Sequence, residues 1–60
     1  MNAQQLKALR LRLGLTQKDL GNLLHRSRAA IARYEAGEPI DAAVAELAGM
    51  LEGVTNTHPN

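Results

Sequence analysis

The stretch TQKDLGNLLHRSRAAIARYEAG, residues 16–37, contains two short segments whose apolar residues recur at helical spacing. The first segment covers residues 17–24 and follows Thr16, a residue type that commonly caps a helix N-terminus. Its apolar stripe consists of Leu20, Leu23 and Leu24. The pattern therefore predicts a two-turn helix that starts directly after Thr16.

The second segment follows the three-residue break HRS. Ser27 is a suitable N-cap for it, and Ile31 and Tyr34 form its inward stripe. The helix is expected to end near Ala36, because Gly37 readily adopts the left-handed conformation that terminates helices. Two short helices joined by a turn of about three residues form a helix-turn-helix unit.

One further helix is predicted on each side of this pair. The first covers residues 3–13 and ends at Gly14. Its inward face consists of Ala3, Leu6, Leu9, Arg10 and Leu13. The last helix begins near Pro39 and Asp41, both common at helix starts, and is expected to end at Gly53. Its inward face consists of Ile40, Val44, Leu47, Ala48 and Leu51.

Residues 1–53 are therefore expected to form one all-α domain, a small bundle of four short helices, followed by a flexible tail at 54–60. A chain of 60 residues buries only about 60% of its unfolded surface, and this one has no cysteine to form a disulfide. Self-association is a common remedy for such marginal stability. The N-terminus lacks the apolar run of a signal peptide and no segment is long enough to span a membrane, so a cytoplasmic protein is expected.

The charges are strongly segregated along the chain although the net charge is only +1. Residues 1–34 hold all seven basic side chains and one acid, a net charge of +6, whereas residues 35–60 hold five acids and no base. This asymmetry favours a basic surface that faces a polyanion. A soluble helical bundle with accidental segregation is equally compatible with the charges alone.

Several residues of the motif occupy positions that define a known family. They are Gln17 at the start of the first motif helix, Leu20 and Ile31 in the core, the cap Ser27, and the E-x-G ending of Glu35 and Gly37. In these residues the chain resembles the Cro/CI-type helix-turn-helix proteins of phages and bacteria, from about Leu6 to Leu51. The resemblance implies a lambda-repressor-like fold that binds double-stranded DNA.

Three residues depart from the family pattern. Gly21 replaces the usual alanine at a position that must be small because the two motif helices nearly touch there. His25 replaces a glycine at a position that requires a left-handed backbone, which histidine tolerates at some cost. Arg26 replaces a buried aliphatic residue and cannot be buried without a partner. Its stem is expected to cover the core while its head reaches water or a phosphate, which predicts a looser or redirected turn.

Arg10 is a charged residue on the apolar face of the first helix, between Leu6 and Leu13. In the family, a first-helix arginine pairs with the glutamate of the E-x-G ending, and Arg10 and Glu35 match both positions. The resemblance therefore implies a structural ion pair. Alternatively, Arg10 extends outward and Glu35 is simply solvated.

The expected recognition helix, residues 28–36, has an outer face of alanine and arginine without acids. Small side chains allow a backbone to approach a major groove about 12 Å wide, and arginine pairs bidentately with guanine. The resemblance implies base contacts at Arg28, Ala29 and Arg33, and Ala32 is added because an alanine can touch a thymine methyl. The alternative for the alanines is simple helix propensity. Phosphate contacts are expected from Gln17, Lys18, Arg26 and Ser27.

A specific operator normally requires two half-sites, so a homodimer is expected. Met50 and Val54 lie outside the inward stripe of the last helix, and Leu11 lies on the outer side of the first. These three are the candidates for the dimer interface. Alternatively, they are scattered apolar surface residues, which are common.

Two rival functions follow from the same sequence. A helix-turn-helix module can bind a protein, as antitoxin-like domains do, without reading DNA. An enzyme has no support, since His25 and His58 stand alone, without paired carboxylates or a nucleophile and base nearby. No metal, cofactor or small-molecule ligand is expected. The residues favour a small transcriptional repressor or autorepressor that binds an inverted-repeat operator as a homodimer and responds to its own concentration.

Overall fold

The computed structural model describes the backbone of residues 1–56 and the side chains of residues 1–53. It consists of four helices: α1 (Ala3–Arg12), α2 (Gln17–Leu24), α3 (Arg28–Glu35) and α4 (Ala42–Asn56). No strand occurs in residues 1–56, so the predicted all-α architecture of four helices is confirmed. The expectations placed on residues 57–60, including His58, lie outside the described residues.

Polar side chains fix the start of every helix. Asn2 and Thr16 each form a capping box, with Gln5 and Asp19 respectively. In α3 the Oγ of Ser27 accepts the backbone N–H of Ala30 at 3.1 Å, and in α4 Asp41 accepts that of Val44 at 2.9 Å. Such caps satisfy backbone donors that have no partner inside the helix. The boundaries of α2 and α3 follow directly from these caps.

The first and third helices end in the same way. Gly14 and Gly37 both have positive φ, +72° and +117°. After each glycine, a backbone N–H reaches back to a carbonyl five residues earlier, from Leu15 to Arg10 (3.0 Å) and from Glu38 to Arg33 (3.1 Å). These are Schellman motifs, and they set the direction in which the chain leaves each helix.

The core is aliphatic and lies between all four helices. Its largest fully buried side chains are Leu6, Leu9, Leu20, Leu24, Ile31 and Val44, and Ala48 is buried beside them. Of the predicted stripe of α2, Leu23 is 48% exposed, because it turns away from the line that Leu20 and Leu24 form toward the core. Ala30, which the sequence pattern did not assign to the core, is buried on the inner side of α3.

Helix α4 continues to Asn56, so the prediction that it ends at Gly53 is wrong. A glycine terminates a helix by adopting a positive φ, and Gly53 does not. Inside a helix a glycine is tolerated at a cost of about 1 kcal/mol relative to alanine. The first three residues of the predicted tail therefore belong to α4.

Candidate nucleic-acid interface

Arg10 and Glu35 form a two-pronged ion pair between α1 and α3. The Arg10 Nε lies 2.7 Å from one carboxylate oxygen of Glu35, and a terminal nitrogen lies 3.1 Å from the other. The remaining terminal nitrogen donates to the carbonyl of Leu15 at 3.1 Å. The two side chains are only 13% and 6% exposed. The pair therefore fixes the end of α3 against α1 and the following turn.

Gln17 adds a third element to this contact. Its side-chain amide donates to Glu35 at 3.2 Å, and this bond connects the start of α2 to the end of α3. Burial alone would raise the pKa of Glu35, but the hydrogen bonds from Arg10 and Gln17 outweigh it and hold that pKa below its ordinary value. Glu35 thus remains ionised and orients both motif helices relative to α1. A phosphate contact by Gln17 stays a prediction.

The turn between α2 and α3 is tight despite its departures from the family pattern. His25 adopts the left-handed conformation, with φ +58°, and ends α2. The N–H of Arg26 then donates to the carbonyl of Gly21 at 2.8 Å. A Cβ at position 21 would lie 2.6 Å from the Arg26 carbonyl oxygen, so the close neighbour of Gly21 is the turn backbone. In this turn an alanine at position 21 would therefore force the backbone near Arg26 to shift.

Arg26 is held by residues beyond the turn. Its guanidinium donates to Asp41 at 3.2 Å and to the carbonyl of His25 at 3.0 Å. The hydrogen bonds that Arg26 donates to the Tyr34 hydroxyl oxygen and to Asp41 raise the pKa of Arg26 above its ordinary value. The pKa of Asp41 is lowered, first by the N–H of Val44 and then by Arg26. Arg26 thus ties the turn to the start of α4, and the expected loosening of the turn is absent.

The outer face of α3 carries the predicted base-reading side chains. Arg28, Ala29 and Arg33 are exposed, whereas Ala32 is half-buried. Within the described residues no hydrogen bond or ion pair of Arg28 is present. The Nε of Arg33 lies 3.7 Å from a carboxylate oxygen of Glu38, with both side chains more than half exposed. Arg28 and Arg33 therefore project from a face whose other side chains are small alanines, and Arg33 has an acidic neighbour.

The side chains predicted to contact phosphates differ in whether they already have partners within the described part of the protein. Lys18 is exposed at the start of α2, and no partner for it occurs in the described part of the chain. Ser27 is exposed, but its hydroxyl caps α3. Arg26 is engaged with Asp41, as described above. Lys18 is thus the candidate whose whole charge is available to a phosphate.

The dimer candidates are only partly described. Met50 on α4 is 63% exposed and Leu11 on α1 is 59% exposed. The side chain of Val54 lies outside the described residues. Both described candidates are large apolar side chains in solvent. Helix α4 packs mainly on α1 and α2.

Sequence reasoning placed Tyr34 in the inward stripe of α3 and Asp41 at the start of α4, but it gave neither of them, nor Glu38, a contact with an arginine of this region. The signal for Asp41 was its cap position, but its bond to Arg26 joins residues 15 positions apart, which no local pattern reveals. Glu38 follows Gly37 directly, and a Schellman ending brings the residue after the glycine back toward the last helical turn. That signal was available from the sequence.

The profile of the helix-turn-helix domain family matches residues 3–54. The chain belongs to this family. Membership indicates a DNA-binding regulator, and domains of this kind are typically not enzymes. Comparison with curated proteins and with solved structures gives no significant match.

Within the described part of the chain, no helix combines the length and apolarity needed to cross a bilayer. No group of three or more histidine, aspartate or glutamate side chains in that part is arranged to hold a metal ion.

Proposed function

We propose that this protein is a Cro/CI-type transcriptional regulator that represses by binding an inverted-repeat operator as a homodimer. The observation that carries the proposal is the face of α3, where Arg28 and Arg33 stand exposed beside Ala29. The α3 N-terminus is capped by a hydroxyl and the motif is locked by the Arg10–Glu35 pair. A rigid helix with small side chains and projecting arginines suits the major groove.

In this proposal the side chains divide by role. Arg28 and Arg33 read guanine through O6 and N7, while Ala29 and Ala32 provide clearance or touch a thymine methyl. Lys18 holds a phosphate, assisted by the backbone N–H groups at the start of α2. Gln17, Ser27 and Arg26 supply further polar groups on the same side, although their side chains also have internal partners.

The homodimer is proposed to form through α4. Two recognition helices must lie about 34 Å apart to enter successive major grooves, so the contact between subunits has to leave α3 free. Met50 is an exposed apolar residue on a helix that packs mainly on α1 and α2. Val54, four residues later, extends the same register, and Leu11 is the alternative contact. Such a regulator acts on nucleoid DNA in a bacterial cell or a phage-infected host.

Selection of bound sequences from random double-stranded DNA tests this function directly. We expect an inverted repeat with guanines in both half-sites, followed by a footprint of the same sequence in native promoter DNA. The logarithm of the binding constant should fall with the logarithm of salt concentration by about 0.9 per phosphate neutralised. Absence of binding at low salt would instead favour a protein-interaction module.

A further inference from the structure

Glu38 is an acidic side chain at the exit of the proposed recognition helix. Its backbone position is fixed, because Gly37 at φ +117° turns the chain and the Glu38 N–H donates to the carbonyl of Arg33 at 3.1 Å. Its carboxylate then lies 3.7 Å from the Arg33 Nε. The Schellman ending therefore presents the carboxylate to the guanidinium of a base-reading residue.

This location is electrostatically unfavourable for an acid in two ways. The C-terminus of a helix carries partial negative charge, which favours cations and disfavours a carboxylate. The neighbouring face is also the one expected to meet the phosphates of DNA. Arg33 is the basic side chain that compensates Glu38 in the described structure, whereas Arg28 and Lys18 have no comparable acid in contact.

We propose that Glu38 is a specificity-determining residue, because it competes with phosphates for Arg33. This inference rests on the proposed function. Carboxylate and phosphate oxygens are equivalent charged acceptors for one guanidinium. On non-operator DNA, Arg33 therefore stays with Glu38 and adds no phosphate contact. A correctly placed guanine is uncharged and takes the two terminal nitrogens of Arg33 through O6 and N7, so the Nε keeps its contact with Glu38 and no ion pair is lost on the operator.

The test compares E38Q with E46Q, which removes the same charge from an exposed position on α4. Affinities for the selected operator and for a scrambled duplex of equal length are measured by fluorescence anisotropy over a salt series.

E38Q should bind the scrambled duplex at least about three-fold more tightly than the unmodified protein does. The salt slope on that duplex should steepen by about 0.9, one added phosphate contact. The operator affinity should change less, so the ratio of specific to non-specific binding falls, whereas E46Q should keep the ratio of the unmodified protein.

Combining Glu38→Gln with Arg33→Met distinguishes competition for the Arg33 guanidinium from general repulsion between Glu38 and DNA. In that background, adding Glu38→Gln should leave the ratio unchanged, because no guanidinium remains to be released. Equal tightening on both duplexes by the single variant E38Q would overturn the inference, since repulsion acts on all DNA alike. If the unmodified protein bound neither duplex at low salt, the proposed function would fail instead.

Discussion

Gly21 is the residue at which one added carbon has the largest structural consequence. A Cβ there would lie 2.6 Å from the backbone oxygen of Arg26, in a turn that is itself held by a hydrogen bond to Gly21. We predict that Gly21→Ala lowers the free energy of unfolding by about 1–3 kcal/mol, since the clash with backbone exceeds the gain in helix propensity. Urea denaturation measures the effect.

Gly49 provides the matched control for that substitution. It lies inside α4 with nothing within 4 Å of an added Cβ and without a positive φ. Gly49→Ala should therefore stabilise the protein by about 0.5–1 kcal/mol. Equal effects of the two substitutions would show that the turn yields to the extra carbon.

Arg10 is the residue whose removal isolates a charge. Arg10→Met would leave Glu35, 6% exposed, with the Gln17 amide as its hydrogen-bond partner among the described side chains. We predict destabilisation of up to about 3–5 kcal/mol, and recovery of much of it when Glu35→Leu is added. Chemical denaturation of both variants measures this. A double variant no more stable than the single one would contradict a coupled pair.

At the residue scale, the sequence allowed prediction of features that are local or that a family pattern marks. The caps Thr16, Ser27 and Asp41 are local, and the pairing of Arg10 with Glu35 was expected from the resemblance alone. The partner of Arg26 was not predictable in this way, because Asp41 lies beyond α3 and reaches the turn only once the helices pack. Leu23 was also misplaced: its spacing admits it to the stripe, but it turns away from the side of α2 on which Leu20 and Leu24 are buried.

At the scale of elements, α2 and α3 are expected to contribute differently to DNA binding. Arg33→Ala on α3 should lose about 1–3 kcal/mol on the selected operator and relax the preference at one base pair. Lys18→Ala on α2 should weaken all duplexes nearly equally and make the salt slope shallower by about one. Anisotropy with single-base operator variants distinguishes these outcomes. Arg28 should behave as Arg33 does. Similar loss of preference in both alanine variants would contradict the division between readout and positioning.

The ends of α1 and α3 were predictable from the glycines that follow them, and the end of α2 from the three-residue break that begins at His25. Gly14 and Gly37 both precede segments that turn back to pack, and both adopt positive φ. Gly53 is followed by residues that continue the helix, so the same residue type has no terminating effect there. A glycine therefore permits a helix to end, and the packing of the next segment determines whether it does.

For the whole molecule, the carboxylates that connect the helices make stability depend on pH. The pKa values of Glu35 and Asp41 lie below their ordinary values of 4.5 and 3.8. A lowered folded-state pKa stabilises the protein above the ordinary value and loses that effect as pH falls through the folded value. We predict that the free energy of unfolding begins to decline near pH 4.5 and continues to fall below it.

Urea denaturation at a series of pH values tests this dependence. The Arg10→Met/Glu35→Leu double variant should show a shallower decline, since only the contribution of Asp41 remains. A profile that stayed flat on acidification below pH 4.5 would contradict the prediction.

Assembly is the other property of the whole molecule. We predict that Met50→Glu with Val54→Glu yields a monomer that keeps its helices and binds a full operator no better than a half-site. The carboxylates would place charge in the proposed apolar contact, where they lack partners. Sedimentation and circular dichroism, together with operator titration, measure the outcome. A variant that stayed dimeric would move the interface to another surface, with Leu11→Glu as the next substitution.

Helix α3 has one face that packs in the core and another that is exposed to solvent. Ala30 and Ile31 hold it in the core, while Arg28, Ala29 and Arg33 project into solvent. Exposed substitutions away from caps and glycines generally change stability by less than about 0.5 kcal/mol. Duplicated copies of such a gene can therefore drift at these three codons without unfolding the product. If these side chains read the operator as proposed, new regulatory circuits can arise by point mutation on an unaltered scaffold, and most members of a library randomised at the same codons would remain folded.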